Sequence, residues 1–344
     1  MEKISDIKTL TEEELKNWLK EVGEKPFRAD QIRNRLFCGQ VKSFDAMETI
    51  PAALREKLSA NFRITSLEEA KRLLSEDGTV KWLYRTHDGY HIETVLIPTN
   101  DRFSVCVSTQ IGCAQNCAFC RTAKMGFIRN LEAGEILEEI IRVNWYLEET
   151  GTKHSDGSLA KVTNIIFMGM GEPLNNLEQV HRVCCTLHHQ KLFNLGRKRM
   201  TISTSGVVPK IKELVDRNTP CCLAVSLNST NDERRSAVMP VNKVWNIAKL
   251  LQATDEYTRR TGNYVTFEFV LMKGITCSEE AAKELIRICA PRRCKVNAIV
   301  LNDGDDPTLE APSPEEIENF VEIVRKAEIQ ITIHNPRGRD ILDA

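Results

Sequence analysis

The chain has 344 residues, of which 42% are hydrophobic and 28% are charged, a composition that is ordinary for a globular enzyme with a sizeable core. The formal net charge of −1 excludes a global positive field, so a polyanionic partner would need local basic patches. With no run of about 18 apolar residues and no signal-peptide pattern, we expect no membrane span, a cytoplasmic location and mostly reduced thiols among the twelve cysteines.

Residues 1–70 have the apolar spacing of helices. In TEEELKNWLKEVG the apolar residues recur at helical intervals, and Thr11 with Glu14 forms a capping-box pattern. The segments FRADQIRNRLFCG and PAALREKLSAN continue the helical pattern. Residues 71–102 change to strand-like sequences, TVKWLYRT and IETVLIP, with turn signals between them. We therefore predict a helical domain at 1–70, a β-rich connection at 71–102 and a third domain at 103–344.

From residue 103 onward, strand-like and helix-like segments alternate. The predicted strands are SVCVST, VTNIIFMG, RMTISTS, CLAVSLN, VTFEFVLM, KVNAIVL and IQITIH. The predicted helices are EAGEILEEIIRVNWYLEET, LEQVHRVCCTLHH, VPKIKELVDR, VWNIAKLLQATDEYTRR, EEAAKELIRICA and SPEEIENFVEIVRKA. Repeated β-then-α units indicate a parallel sheet with right-handed crossovers, so we expect an open or closed α/β barrel. Functional residues of such barrels gather at the carboxyl ends of the strands.

Three cysteines lie within eight positions of one loop: Cys113, Cys117 and Cys120. Structural zinc usually takes two CxxC pairs, and no histidine lies near this run. Iron–sulfur clusters normally take four cysteines, so three thiolates suit a [4Fe–4S] cluster that keeps one iron open for a substrate. The alternative is three unrelated buried thiols. That alternative fits poorly, because the loop also carries the polar residues Gln115 and Asn116.

The CxxxCxxC spacing, with the aromatic residue Phe119 before the last cysteine, resembles the signature of radical S-adenosylmethionine (SAM) enzymes. The resemblance implies a [4Fe–4S] cluster whose open iron is chelated by the amino and carboxylate groups of SAM. It further implies that an electron from the cluster cleaves SAM to a 5′-deoxyadenosyl radical. That chemistry belongs to the cofactor, and the protein positions it.

Further motifs, from about residue 9 to residue 344, follow one family's order: GEKPFRADQI, ETVLIP, CxxxCxxCxTAxxGFxRNL, MGMGEPL, STSGVVP and RGRDI. They resemble the RlmN/Cfr family of RNA adenosine methyltransferases. The resemblance implies an α/β fold, a partial (β/α) barrel of the radical SAM type with an N-terminal helical accessory domain that handles RNA and a short β extension. The motifs are nearer to the RlmN branch, which methylates carbon 2 of an adenosine in 23S rRNA and of adenosine 37 in some tRNAs. The Cfr branch methylates carbon 8.

The resemblance also implies a set of SAM-binding residues. The glycines of MGMGEP let a ligand approach the backbone, and Glu172 offers a carboxylate to the ammonium of SAM, although a plain βα turn is the alternative. Ser203 and Ser226 end the next two strands and can hydrogen-bond ribose or carboxylate oxygens, although a lone serine there is more often a cap. The full set is Gly171, Glu172, Ser203, Ser226, Leu227, Asn228 and Asn302.

Two residues before the cluster loop match the family's reacting groups. Because adenine carbon 2 is neither acidic nor nucleophilic, the resemblance implies that a cysteine carries the methyl group. One SAM methylates that thiol, a second yields the radical that takes a hydrogen from the S-methyl group, and the carbon radical adds to the base. Cys106 matches the cysteine that resolves the adduct by forming a disulfide bond, and Glu93 matches the acceptor of the ring proton. Without the match, Cys106 is a strand-core thiol and Glu93 a solvent-facing side chain.

The chain departs from the family pattern at several places. The family tail reads roughly GxDIxAACGQL, whereas this chain reads GRDILDA, so we expect a shortened chain with the carrier cysteine just after Ala344. The family's SLH segment is SLN here, and the amide of Asn228 can still hydrogen-bond SAM. His334 stands where an arginine is common, and LNDGDDP lacks the usual prolines around Asn302. These last two changes leave the target base open.

Two other classes of function remain as alternatives. One is a radical SAM enzyme that acts on a peptide or small molecule, and the other is a non-catalytic RNA-binding or cluster-sensing protein. The N-terminal helices and the local basic residues favour RNA, since such residues neutralise phosphates. Those basic residues are Arg121, Lys124, Arg129, Arg197, Lys198 and Arg199. The expected partners are 23S rRNA, tRNA and a flavodoxin-type electron donor, with a monomer as the default.

Overall fold

The structure is a computed structural model that describes residues 5–301, 309–334 and 338–341. Its α-helices are α1 (Glu12–Glu21), α2 (Arg28–Phe37), α3 (Ala52–Asn61), α4 (Arg121–Lys124), α5 (Ala133–Glu149), α6 (Leu177–His188), α7 (Val208–Asp216), α8 (Asp232–Val238), α9 (Ile247–Thr261), α10 (Glu279–Cys289) and α11 (Pro314–Lys326). Its strands are β1 (Ser5–Asp6), β2 (Phe62–Arg63), β3 (Leu67–Leu74), β4 (Val80–Thr86), β5 (His91–Thr99), β6 (Arg102–Cys106), β7 (Gln110–Gly112), β8 (Phe127–Asn130), β9 (Asn164–Phe167), β10 (Met200–Thr204), β11 (Cys222–Ser226), β12 (Val265–Leu271), β13 (Cys294–Val300) and β14 (Ile331–His334).

Every predicted helix and strand is present, with ends that differ by a few residues from the sequence pattern. The capping box of α1 is also confirmed. The Thr11 hydroxyl accepts from the Glu14 backbone N–H at 3.2 Å, and the Glu14 carboxylate accepts from the Thr11 N–H at 2.7 Å. The helices and this cap could be predicted from the sequence because a cap and an apolar stripe depend only on neighbours within the same helix.

The strand β3 was not predicted, and it corrects the expectation that residues 1–70 are helical. Its sequence, LEEAKRLL, is rich in helix formers, yet it pairs antiparallel with β4 and has a bulge between Glu69 and Lys71. Side-chain pairs across and along this edge join Arg85 to Glu68 and Arg72 to Glu69. Pairing with β4 therefore overrides local propensity. Because β3 crosses residue 70, the three-domain division stays a prediction.

Ten strands form the main sheet, in the order β14-β13-β12-β11-β10-β9-β6-β5-β4-β3. The strands β3 to β6 form an antiparallel meander, and β6, β9, β10, β11, β12, β13 and β14 are parallel neighbours. Helices connect the parallel strands, so the prediction of an α/β architecture with a parallel sheet is confirmed. The loops after the parallel strands meet at one edge of the sheet, where β6 leads into the cysteine loop.

A buried ionic cluster ties the first residues of the chain to the large helix α5. Lys8 is 3% exposed, and its ammonium lies 2.9 Å from Asp6 and 3.2 Å from Glu138 of α5. Ser66 donates its backbone N–H to the same glutamate at 2.6 Å. The apolar residues of α1, α2 and α3 belong to the same hydrophobic core as α5 and the sheet. The helical segment is therefore packed onto the sheet domain by both charge and apolar contacts.

Among the described residues, no helix is both long and apolar enough to cross a membrane.

Candidate active site

One face of the parallel sheet carries most of the predicted site residues. Cys106 of β6 pairs with Ile166 of β9, which pairs with residue 201 of β10, two positions before Ser203. Ser203 pairs with residue 224 of β11, two positions before Ser226, and Ser226 pairs with Glu268 of β12. Because paired residues share a face and side chains alternate along a strand, all four polar residues point to the same side. The opposite face is apolar and belongs to the core that includes the helices.

The cysteine loop is held at both ends by backbone hydrogen bonds. The strands β7 and β8 form an antiparallel hairpin around it, and the Cys113 N–H donates to the Gly126 carbonyl at 3.0 Å. In the middle of the loop, the Ala118 N–H donates to the Val238 carbonyl at the end of α8, at 2.9 Å. The hairpin was not predicted from sequence. It places the loop at the edge of the sheet where β6 ends.

The three thiols of this loop lie in a partly dry environment. Burial raises the pKa of Cys113 to about 11 and that of Cys117 to about 12. The negative charges of Cys120 and Glu172 also raise the pKa of both thiols. Thiolates therefore need a compensating cation here, and bound iron supplies one.

The donor set fits a multi-iron cluster. Among the described residues, no three His, Cys, Asp or Glu side chains converge on a single-ion site. The cysteines of a cubane cluster bind different iron atoms, so they need not converge on one point. Within the described ranges, no disulfide bond joins any of the twelve cysteines, so the three thiols of the loop are available as ligands.

The motif MGMGEP follows β9 and packs its backbone against the strand that leads into the cysteine loop. A Cβ atom at Gly169 would lie 2.7 Å from the carbonyl carbon of Val107. At Gly171, where φ is +102°, a Cβ atom would lie 2.5 Å from the Gln110 side chain. Both glycines are required for this close approach. The Gln110 amide in turn accepts from the Glu172 N–H at 2.8 Å, which holds the motif beside the loop.

Glu172 is 3% exposed, and its carboxylate accepts several hydrogen bonds within the protein. Ser205 donates its backbone N–H at 2.8 Å and its hydroxyl at 2.7 Å to one oxygen, and the Leu174 N–H donates to the other at 3.0 Å. Burial raises the pKa of Glu172, and these donors oppose that rise. A carboxylate has about four lone-pair sites, so room is left for one more donor such as an ammonium.

Ser203 and Ser226 converge on Glu268, a residue that sequence reasoning missed. The Ser203 hydroxyl donates to Glu268 Oε2 at 2.5 Å, and the Ser226 hydroxyl donates to the same atom at 3.3 Å. Burial raises the pKa of Glu268, which is 3% exposed. The available signal was a single carboxylate inside the otherwise apolar strand sequence VTFEFVLM.

The side chains of the remaining predicted SAM residues are not free to contact a ligand where the structure describes them. Leu227 is fully buried, and Asn228 has a φ of +50° with its amide bonded to the Val270 N–H at 3.0 Å and to the Met239 sulfur at 3.4 Å. Their side chains are thus engaged within the protein. Asn302 lies outside the described residues.

Arg235 organises the strand ends beneath the serines, and sequence reasoning missed it because DERRSAV resembles a solvated helix. It is fully buried and donates to the Leu227 carbonyl at 2.8 Å, the Ser205 carbonyl at 2.7 Å and the Ser226 carbonyl at 2.9 Å. It also donates to the Asn242 amide oxygen at 3.0 Å. One guanidinium thus joins β11 to the turn after β10.

Cys106 and Glu93 lie on neighbouring strands and face the same side. Cys106 is the last residue of β6 and pairs with Val95 of β5, two positions after Glu93. Lys81 of β4 lies 3.0 Å from the Glu93 carboxylate. Ser108 donates its hydroxyl to the Glu93 carbonyl at 2.6 Å. The meander thus brings the two predicted reacting residues to the face that also carries Ser203 and Ser226.

The basic residues named in the sequence analysis differ in their ion pairs and in their position relative to the cysteine loop. Arg129 donates to Asp88 at 2.7 Å and to Glu135 at 2.8 Å, so its charge is neutralised within the protein. Arg197 and Arg199 precede β10, at the edge of the sheet opposite to the cysteine loop. Around the loop itself, the hairpin exposes three large apolar side chains, Met125, Phe127 and Ile128.

Comparison with known families finds two matches along the chain. Residues 5–64 match the family described as the ribosomal RNA large subunit methyltransferase N-terminal domain. Residues 107–287 match the radical SAM superfamily. The first match covers the helical segment, and the second covers the cysteine loop together with most of the parallel strands.

Similar proteins match over nearly the whole length. The dual-specificity RNA methyltransferase RlmN of Anaeromyxobacter dehalogenans is 39% identical, over 98% of this chain and 90% of that protein. The probable dual-specificity RNA methyltransferase RlmN of Bacillus subtilis is 37% identical, over 96% of this chain and 88% of that protein. Among solved structures, a radical SAM methyltransferase from Sphaerobacter thermophilus has a TM-score of 0.92 and 39% identity, over 98% of this chain and 97% of that chain.

Proposed function

The chain belongs to the RlmN family of radical SAM RNA methyltransferases, which take a [4Fe–4S] cluster and SAM as cofactors, and on that premise we propose its target. The proposed reaction adds a methyl group to carbon 2 of an adenosine in 23S rRNA and of adenosine 37 in tRNA. The similar proteins are named as dual-specificity RNA methyltransferases, which supports two RNA substrates. Both the motif order and the N-terminal family match favour this branch over methylation of carbon 8.

The residues of the sheet edge are assigned to the two cofactors. Cys113, Cys117 and Cys120 hold the cluster. When bound, the cluster supplies the single electron for radical chemistry with SAM, which the bare protein cannot supply. The residues assigned to SAM are Gly171, Glu172, Ser203, Ser226, Leu227, Asn228 and Asn302. The side chains and the backbone N–H groups of Leu227 and Asn228 are engaged within the protein, so in this assignment neither residue donates a hydrogen bond to the ligand.

The observation that carries the proposal is that Cys106 and Glu93 lie on neighbouring strands and face the same side of the sheet as Ser203 and Ser226. Lys81 orients the Glu93 carboxylate, which takes the proton from the ring carbon once the methylene group is attached. A one-electron acceptor of the iron–sulfur or flavin class takes up the unpaired electron left by the radical addition, so the adduct becomes a closed-shell thioether. The Cys106 sulfur then attacks the carrier sulfur. A sulfur–sulfur bond forms, the bond from carrier sulfur to methylene carbon breaks, and its electron pair takes up a proton to complete the methyl group. The carrier cysteine is a further part of this proposal, and none of the residues assigned here takes that role.

The hairpin around the cluster provides a surface suited to RNA. Phe127 is 47% exposed, and Met125 and Ile128 are exposed beside it. Arg121 and Lys124 belong to the short helix α4 within the same hairpin. Unstacked RNA bases pack on aromatic and apolar side chains while basic groups contact the phosphates. In this proposal the helical segment at 1–70 supports the RNA, and the meander connects it to the barrel.

The remaining parts of the proposal follow from the substrate and the cluster. Ribosomal RNA, tRNA and thiolate-bound iron are found together in a reducing compartment, so the enzyme is assigned to the cytoplasm. A flavodoxin-type protein is assigned as electron donor, because the cluster needs one electron at a time. The enzyme is assigned as a monomer, with all the named site residues on one chain.

The test uses a chain that carries the methyl-carrier cysteine, reconstituted without oxygen and incubated with SAM, a reductant, and a 23S rRNA fragment or tRNA. The RNA is digested and its nucleosides are separated and weighed. We expect 2-methyladenosine from both RNAs. Finding 8-methyladenosine instead would overturn the assignment to carbon 2. Cleaved SAM with unmodified RNA would favour a radical SAM enzyme with another substrate.

A further inference from the structure

Glu268 is a buried carboxylate without an ionic partner, placed beneath the two serines. It is 3% exposed, and no described cation forms an ion pair with it. An unpaired buried carboxylate is costly unless hydrogen bonds stabilise the charge. Ser203 and Ser226 supply those bonds, and the Ser203 distance of 2.5 Å lies in the range of charge-assisted O–H···O⁻ bonds. The carboxylate therefore determines where both hydroxyl hydrogens point.

This arrangement decides what the serines offer to a ligand. A serine hydroxyl has one hydrogen to donate and two lone pairs that accept. Both hydrogens are used on Glu268 Oε2, so each serine oxygen presents only lone pairs to the open side of the sheet. The second carboxylate oxygen, Oε1, accepts no hydrogen bond from any described residue. Three acceptor groups are thus grouped on one patch, with no donor among them.

We propose that Glu268 is a positioning residue that holds Ser203 and Ser226 as hydrogen-bond acceptors and thereby selects a ligand group that donates two hydrogen bonds, the ribose diol of SAM. This inference rests on the proposed assignment of SAM to this face. It narrows that assignment, because sequence reasoning left ribose and carboxylate oxygens equally open for the two serines.

The chemistry of SAM leaves few other groups for this patch. Its carboxylate and its sulfonium carry no hydrogen to donate, and a carboxylate would also be repelled by Glu268. Its ammonium donates, but Glu172 keeps an accepting site for it beside the cysteine loop. The adenine amino group also donates two hydrogens, but both from one nitrogen. The ribose has two adjacent hydroxyl groups on separate carbons, which match the two serine acceptors on neighbouring strands.

The backbone beneath the patch is held firmly enough for such selection. Arg235 donates to the carbonyl groups of Ser205 and Ser226, at 2.7 Å and 2.9 Å, and so joins the ends of β10 and β11. The distance between the two serines is therefore set by paired strands rather than by a loop. A patch on paired strands keeps its geometry before the ligand binds, which lowers the cost of binding.

The test compares SAM with analogues that lack the ribose 2′ or 3′ hydroxyl, using equilibrium dialysis against cluster-loaded protein. In Glu268→Gln the amide keeps one acceptor and gains a donor, so one serine must turn its hydrogen towards the ligand. We expect the dissociation constant of SAM to rise about 10-fold in this variant. We also expect SAM and one of the two deoxy analogues to differ in dissociation constant by only about 2-fold. Thr266→Ser, on the same strand and face, should leave the affinity for SAM and both analogues unchanged.

The outcomes separate this inference from the proposed function. If Glu268→Gln binds SAM and both analogues like the parent protein, the inference is wrong while the SAM assignment stands. If the parent protein itself binds no SAM, the proposed function fails first. Should Glu268→Gln fail to fold, as judged by circular dichroism and iron content, Ser203→Ala and Ser226→Ala replace it. Each should abolish the preference for one ribose hydroxyl, and an unchanged preference in both would overturn the inference.

Discussion

Replacing Arg235 with methionine should destabilise the protein more than any neighbouring surface change. The guanidinium is fully buried, and it satisfies the carbonyl groups of Ser205, Ser226 and Leu227 together with the Asn242 amide oxygen. Methionine replaces only the aliphatic stem and donates nothing, and each acceptor left unpaired costs roughly 1 kcal/mol or more. Removing the buried charge offsets part of that loss. The expected decrease in the free energy of unfolding is about 3 kcal/mol, near 150-fold in the folded-to-unfolded ratio.

The assay is urea unfolding followed by circular dichroism, with Arg234→Met as the matched control. Arg234 precedes Arg235 in α8, but it is partly exposed and pairs with Glu284 at 3.0 Å on the surface. An exposed ion pair contributes about 0–1 kcal/mol, so the control should lose less than about 1 kcal/mol. SAM binding should also weaken in Arg235→Met only, because β10 and β11 lose their shared donor. Equal losses of stability in the two variants would refute the reasoning.

Three further changes address other parts of the site. Cys117→Ala removes a cluster ligand, so reconstituted protein should lose iron and its brown absorbance, whereas Cys184→Ala in the core of α6 should keep both. In a chain that carries the methyl-carrier cysteine, Cys106→Ala should cause a covalent protein–RNA adduct to accumulate, seen as a slow band on a denaturing gel. Burial raises the pKa of Glu139 well above its usual value. A raised folded-state pKa means that the protein loses stability as the pH rises above the carboxyl group's unfolded value of about 4.3. In urea unfolding, Glu139→Gln should therefore gain stability relative to the parent as the pH is raised from about 4.

Each of these three predictions has an outcome that would contradict it. Full iron content in Cys117→Ala would contradict the cluster assignment. Turnover to methylated RNA without an adduct in Cys106→Ala would remove that thiol from the resolving role. A stability difference for Glu139→Gln that does not change with pH would mean that the Glu139 carboxyl has the same pKa in the folded and unfolded protein.

The sequence alone was sufficient for most of the elements and for the class of fold, and it predicts a set of cluster ligands. Apolar periodicity and caps act between residues a few positions apart, so the alternation of strands and helices was readable. The cysteines Cys113, Cys117 and Cys120 lie in one loop, so their spacing carries the chemistry without any knowledge of the fold. The expected parallel arrangement followed from the order of the elements.

Tertiary structure decided the strand β3, the partners of the serines and the buried arginine. LEEAKRLL has the composition of a helix and becomes a strand only because β4 is available to pair with it. Ser203 and Glu268 are 65 positions apart, and they meet because the registers of β10, β11 and β12 bring them onto one face. A strand's pattern predicts that it will pair but not with which residue. The hydrogen bonds that join Ser203 and Ser226 to Glu268 could therefore be known only once the sheet was assembled.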